Sequence, residues 1–341
     1  FPVGGYDWIL GLDQVLIIDN LLIRDLSSNN ILDTFLTPVN GRYEPMAMIS
    51  YSVDMAIWPG NELRGIHYTN LLLHLMNIIL FFRLVHLLSK KIWPAVIAAG
   101  LFAVHPVNAE AITWLSARSQ LFASFFILLG LLAYVYHAKS KYLKKRYLHL
   151  SEGFFLLALL TNPIALVFPF LILMINRHFS RGLKESFKYN YRIIYLGLVA
   201  IIVIMMIQFN SSLPHQGLFN RPVELFSYFL YSSSLLVINF IVPSGLIAYH
   251  PYPIKMDMTM IILSVLMALI IGFVTWKRKE QSIIFYGLLA FVLSFFFSYS
   301  FSPDSATYYD SQAYFPYLGL FLLIALVVQY LYESIPRRAI A

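Results

Sequence analysis

Long apolar runs separated by short basic loops dominate the chain. Ile193 to Ile207, Met258 to Trp276 and Phe315 to Val328 carry no charged residue, and a helix that spans a bilayer needs about 20 predominantly apolar residues. Along the whole chain this pattern predicts nine spans, at roughly 66–88, 92–104, 119–137, 148–160, 163–176, 193–209, 258–276, 282–300 and 313–332. Thr161-Asn162-Pro163 splits one apolar stretch into a hairpin, because proline cannot continue a helical hydrogen-bond ladder. Broken helices at membrane depth persist only where they are buried in protein or line a cavity. The segment 224–250 is apolar enough for one crossing, but a crossing there would invert the loop at Lys277-Arg278-Lys279 and the helices after it. The expectation is that it re-enters or lies along the outer interface, helped by Pro243, Gly245, Pro251 and Pro253. The fold class is therefore all-α, a polytopic membrane protein with about nine spanning helices.

Residues 1–60 follow a different pattern and divide from a transmembrane domain over 61–341. LLIRDLSSNNILDTF at 21–35 and EPMAMISYSVDMAIW at 44–58 read as amphipathic helices. They would lie on the membrane and roof a cavity, or form a soluble cap; the pattern fits both.

Composition removes a soluble alternative. Of 341 residues 59% are hydrophobic and 12% charged, against roughly 25% charged in a soluble domain. The net charge of +7 first suggests nucleic acid, but the basic residues sit between the apolar runs. Arg83, Lys90 and Lys91, Lys139 to Arg146, Arg177 to Arg192, Lys277 to Lys279, and Arg337 with Arg338 hold 18 of the 24 Lys and Arg and only four of the 17 acids. That bias is the positive-inside signature. It assigns these loops and the C-terminus to the cytoplasm, residues 1–60 to the opposite side, and leaves no role for nucleic acid. Zero cysteines exclude disulfides and thiolate chemistry. The start at Phe1 is read as that of a fragment or processed chain.

The outer side collects the other 13 acids, including Asp7, Asp13, Asp19, Glu44, Glu110, Asp304 and Asp310, with His67, His105, Arg118, His215 and His250. Ionisable groups beside apolar runs are costly and usually mark a substrate path or a paired site. His67, Asn70, His74 and Asn77 recur at helical spacing and share one face; for His74 and Asn77 the expected role is interhelical hydrogen bonding. His105 and Glu110 flank a break at Pro106, but one His and one Glu fall far short of a zinc site, and no metal or cofactor is expected.

The stretch AAGLFAVHPVNAEAITWLSARSQLFASFFILLGLLAYVY, residues 98–136, resembles the most recognisable block of the transmembrane and tetratricopeptide-repeat O-mannosyltransferases and their bacterial relatives, in the C-type glycosyltransferase superfamily. LIIDNLLIRDL at 16–26, GIHYTNLLLHLMN at 65–77, VPSGLIAYHPYP at 242–253 and AYFPYLGL at 313–320 agree with further blocks in order. The resemblance implies an all-helical enzyme that moves a sugar from a polyprenyl-phosphate carrier to an acceptor on the non-cytoplasmic side. It places Asp13 at the family's loop aspartate, the general base, and Tyr43, His105, Glu110 and Arg118 in the substrate site; His67, from the polar stripe, is expected to line the same outward-facing cavity.

The departures from the family are as specific. Its acidic pair is here Leu12-Asp13, with Asp7 the nearest substitute. Its Tyr-Arg-Pro-Leu is Tyr43-Glu44-Pro45-Met46, its Lys-Glu is Asn162-Pro163, and its Arg-Tyr is Ser311-Gln312, so three cationic positions are lost. The expectation is a relative without the tetratricopeptide repeats. Two readings stand: a glycosyltransferase using Asp13, with membrane lipid and a polyprenyl-phosphate sugar as its partners, and a catalytically degenerate relative acting as scaffold or lipid-binding subunit among other membrane subunits. A transporter should show internal repeats, and none is seen.

Overall fold

The computed structural model describes residues 11–140, 144–179, 182–210, 222–243, 282–300 and 307–334, with short pieces at 246, 250–251 and between 258 and 267. Asp7, His215, Asp304, Lys141, Lys277 to Lys279, Arg337 and most of the expected span 258–276 lie outside the described residues. Among the described residues the regular elements are helical apart from a two-residue antiparallel ladder between β1 (His250–Pro251) and β2 (Thr307–Tyr308).

Residues 11–60 form short elements. A π-turn at Gln14–Ile18 and a 3-10 turn at Leu21–Ile23 precede α1 (Ser28–Leu36) and α2 (Pro45–Ile57). Local chemistry sets these starts: Ser27 accepts from the Asn30 N–H at 3.3 Å, and Pro45 occupies the first turn of α2, where its missing N–H costs nothing. A small apolar cluster of Leu16, Ile17, Ile23, Met48, Tyr51, Ile66 and Leu115 ties them to the helices below.

Then come α3 (Glu62–Ser89), α4 (Ile92–Val104), the short α5 (Ala109–Thr113), α6 (Arg118–Lys139), α7 (Lys145–Leu159), α8 (Phe168–His178), α9 (Leu183–Asn210), α10 (Pro222–Ile241), α11 (Ser282–Ser300) and α12 (Tyr317–Ser334). Helices thus occupy eight of the nine expected spans, and the described residues of the ninth, 258–276, are helical too. Among the described residues four helical stretches are by themselves long and apolar enough to cross a membrane: Glu62–Ser89, Leu115–Lys139, Lys184–Val203 and Tyr317–Ser334. α4 joins Pro106–Thr113 as a bent fifth, turned by 57°. The protein is an integral membrane protein. The turn follows from Pro106, and a second break follows from Pro163, where Asn162 accepts from the Ile164 N–H at 3.0 Å. Asn190 departs from helical geometry inside α9 and divides its polar first turns from the apolar remainder. α10 is one continuous helix of 20 residues.

α6 is the axis, buried over 78% of its apolar stretch. α7 and α3 flank it, α4 packs on α3, α12 on α4 and α11 on α12; α11 also meets the turn Pro163–Val167, which returns the circle to α7. α11 and α12 approach each other closely. A Cβ on Gly319 would stand 2.5 Å from the Gly287 carbonyl oxygen and 2.9 Å from the Phe291 nitrogen. Backbones meet there because neither glycine has a side chain, the small-residue contact on which helix association in lipid relies.

Gly319→Ala is expected to force these backbones apart and lower the melting temperature of the detergent-purified protein, by an overpacking cost of about 1–3 kcal/mol. Gly100→Ala, with nothing within 4 Å of its added methyl, should leave it level or raise it slightly, since alanine is the better helix former by roughly 0.5–1 kcal/mol. Equal melting temperatures for wild type and Gly319→Ala would refute the close contact.

Candidate functional site at the α2, α3 and α6 junction

Arg118 opens α6 and is completely buried. A guanidinium needs its donors satisfied and its charge balanced when removed from water. Asp54, on the inner face of α2, pairs with its Nη1 at 2.5 Å. Asn70 Oδ1 accepts from Nε at 2.9 Å, the Ile66 carbonyl accepts from Nη2 at 2.8 Å, and Ser50 Oγ lies 3.4 Å from Nη1. The guanidinium also stands over the Tyr51 ring, 4.5 Å from its centre, and the Tyr51 hydroxyl donates to the Leu115 carbonyl at 2.7 Å. Asp54 is held a second time by the Thr69 hydroxyl at 2.7 Å. One side chain thereby locks α2, α3 and α6 together.

Asp13 reaches the same junction. Its carboxylate is fully buried and accepts from the Ser116 backbone N–H at 3.0 Å and from the Ser116 hydroxyl in a short hydrogen bond. Ser116 lies two residues before Arg118. Glu44 is buried too and accepts from Asn162 Nδ2 at 3.2 Å, the same amide that donates to Ser119 Oγ at 3.2 Å. Burial pushes the Glu44 carboxyl above the ordinary glutamate range, against the pull of Arg42, whose guanidinium is 4.0 Å away. Three carboxyl groups, Asp13, Glu44 and Asp54, thus surround Tyr51 together with Arg118, the one buried Lys or Arg among the described residues.

The other candidates take separate places. His67 is buried on α3 between Ile66 and Asn70, in the turn that binds Arg118. Tyr43 sits at the edge, its hydroxyl donating to the Phe35 carbonyl at 3.1 Å. His105 closes α4 and stacks on Phe240, ring centres 5.0 Å apart, with its edge toward Phe321. Glu110 accepts from the Ser311 hydroxyl at 3.2 Å and lies near the Asp310 carboxylate. The structure therefore gathers Asp13, His67 and Arg118 at one junction and sets His105 and Glu110 in a second group against α10, α12 and the turn before α12. Trp114 links the two: its carbonyl accepts from Asn70 Nδ2 at 3.4 Å while its ring meets Tyr309 at 4.9 Å.

Further along α3, His74 Nδ1 lies 2.8 Å from the Tyr314 hydroxyl, and Asn77 donates to the Leu121 carbonyl at 3.0 Å. These are interhelical bonds at helical spacing. Among the described residues no group of three or more His, Asp or Glu is placed to hold a metal ion. Sequence reasoning missed Asp54 and Ser116, and read Asn162 only as the loss of a family cation at the helix break. Asp54 had a readable signal, since it falls three residues after Tyr51 and seven after Ala47, on the apolar face of α2 where a carboxylate needs a partner.

Arg118→Ala and Asp54→Asn should each destabilise the purified protein severely, because breaking a buried pair from one side typically costs about 3–5 kcal/mol. Arg118→Met with Asp54→Leu should recover much of the loss. Additive losses in the double variant, measured by thermal melting in detergent, would show that the two residues do not act as a pair.

No known family model matches the chain, and no solved structure does. Curated relatives do. The protein O-mannosyl-transferase Tmtc2 of Drosophila melanogaster is 32% identical over 114 residues, 33% of this chain and 12% of the relative. TMTC3 of Homo sapiens, also a protein O-mannosyl-transferase, is 32% identical over 95 residues, 27% of this chain and 10% of the relative. Drosophila melanogaster Tmtc1 is 29% identical over 118 residues, 35% and 13% of the two chains. The matched part thus spans only about a tenth to an eighth of the relatives' length. Over a third of its own length, the chain resembles the transmembrane O-mannosyltransferases.

Proposed function

We propose that the chain is a glycosyltransferase that moves a sugar from a polyprenyl-phosphate-linked donor to a hydroxyl acceptor on the non-cytoplasmic side of the membrane. The resemblance to protein O-mannosyl-transferases supports the reaction class, and one observation carries the assignment of the base: Asp13 is buried 103 residues away in sequence from the Ser116 that holds it, at the foot of the block 98–136. In this reading the Asp13 carboxylate takes the acceptor's proton, the acceptor oxygen bonds to the sugar's anomeric carbon, and the bond from that carbon to phosphate breaks, the electron pair leaving with the polyprenyl phosphate. Ser116 fixes the orientation of the carboxylate. In this reading His67 and Arg118 serve from the same junction, and His105, Glu110 and Tyr43 border the donor's path from the flanks.

A specific observation favours a second reading, in which the chain is a catalytically degenerate scaffold. A departing lipid phosphate needs cationic or hydrogen-bonding groups. Arg118 already serves Asp54, Asn70, Ile66 and Ser50, and buried Glu44 takes the place of a family cation.

Two experiments decide. With polyprenyl-phosphate mannose as donor, Asp13→Asn should reduce transfer about 100- to 10,000-fold while melting stays near wild type; transfer by Asp13→Asn at the wild-type rate, or none by the wild type, would favour the scaffold. The sidedness is tested in a chain without native cysteines. Single cysteines at positions 90, 184 and 279 should label from the side opposite to 13, 105 and 310 in sealed vesicles. Labelling of 105 and 279 from one side would overturn the orientation and with it the side of transfer.

A further inference from the structure

At the opposite end of the bundle from Asp13, the C-termini of α3, α6 and α8 come together. His178 Nε2 lies 3.1 Å from the Leu88 carbonyl, joining α8 to α3. Beside that contact opens a crevice of about 120 Å³ between α3, α6, α8, α11 and α12, lined by Leu84, Leu128, Leu171, Ala290 and Leu322 among other apolar side chains. Its size is close to that of an apolar protein cavity of about 150 Å³ that stays dry and accepts a hydrocarbon guest. Ser89 and His178 stand at its mouth.

Three cations gather beside His178 at that end of the bundle. Arg83 and Lys90 are close enough to Lys139 to repel its charge, and Lys90 and Lys139 both act on His178. All three are exposed. Neighbouring Lys91 is paired with Glu333 at 2.5 Å, whereas no salt bridge among the described residues includes Arg83, Lys90 or Lys139. Among the described residues Arg83 donates to the Tyr136 hydroxyl, at 2.9 and 3.2 Å. Cations near helix C-termini complement the helix dipoles, but that role requires neither three together nor an apolar opening beside them. A basic cluster beside a hydrocarbon-lined slot matches a molecule with one anionic head and an aliphatic tail.

We propose that this crevice holds one acyl chain of an anionic phospholipid, with the headgroup phosphate at Arg83, Lys90 and Lys139. The site belongs to the membrane leaflet on the side of the basic loops, far from Asp13, and does not depend on sugar transfer. Charge complementarity selects the occupant: an uncovered apolar slot alone would accept any chain, whereas each lysine or arginine near an anionic surface strengthens binding about five-fold.

The full chain is reconstituted in phosphatidylcholine nanodiscs with trace photoreactive-tail phosphatidylglycerol or phosphatidylcholine, and labelled peptides are mapped. Phosphatidylglycerol should label the stretches 84–89 and 171–178 at least several-fold more than phosphatidylcholine. Lys90→Gln with Lys139→Gln should remove that preference, and Ala290→Phe should reduce labelling by both probes. Should Ala290→Phe fail to fold, the exposed lysine variant still decides. Equal labelling by the two probes, or a preference unchanged in the lysine variant, overturns the proposal. So does displacement of phosphatidylglycerol by an equal trace of polyprenyl phosphate, which would assign the site to the carrier lipid.

Discussion

The pairing of Arg118 with Asp54 is the constraint around which the outer end of the bundle is built. Neither charge reaches solvent. Desolvating an ion costs several kcal/mol even after relaxation, and the loss is recovered only if geometry is good and the remaining donors are filled. Here they are filled by groups from three elements: Ser50 and the Tyr51 ring on α2, Ile66 and Asn70 on α3. The result specifies where α2 docks. An apolar α2 face could slide over α3 at little cost, but a carboxylate that must meet one guanidinium cannot. Asp13 is held in consequence, because Ser116 is positioned by the same start of α6.

Much of this was legible in the sequence, and the reasons differ by element. The spans are visible because lipid demands long apolar runs and tolerates no unsatisfied backbone, so α3, α4, α6 and α12 could be placed within a few residues. The stripe His67, Asn70, His74 and Asn77 is visible because helical spacing puts polar groups on one face, and a polar face within an apolar helix has to turn inward. The breaks at Pro106 and Pro163 follow from the missing N–H of proline.

Other features have no local signature. Asp54 looks like one more charge on an amphipathic surface helix until its partner, 64 residues away, is known. Ser116 is one serine among many, and its role arises only when residues 11–19 fold over the start of α6. The separation of His105 and Glu110 from Arg118 also depends on tertiary order. All three lie within 14 residues of sequence, yet the turns at Pro106 and Trp114 send His105 toward Phe240 and Glu110 toward Ser311. Proximity in a motif did not mean a shared cluster.

The charge balance of the junction narrows how a phosphate could be used there. The cluster sets three carboxyl groups, Asp13, Glu44 and Asp54, around one fully buried guanidinium, with Arg42 only at its edge, so as it stands it offers an anion no unoccupied buried cation. A phosphate could gain Arg118 only if the guanidinium released Asp54, and that carboxylate would then need a proton or another donor; the Thr69 hydroxyl, already bound at 2.7 Å, is the group in place to hold it. The exchange replaces one carboxylate by a phosphate that carries at least as much charge, so the guanidinium remains paired throughout and the cost falls on Asp54 alone. Donor binding and the docking of α2 are then coupled through one residue. In a scaffold, by contrast, the pair never opens, and the same geometry serves only to hold α2 against α3. The two readings therefore differ in whether α2 moves when a lipid phosphate binds, and Tyr51, lying against Arg118 and bonded to Leu115, is the side chain that such a movement would have to displace.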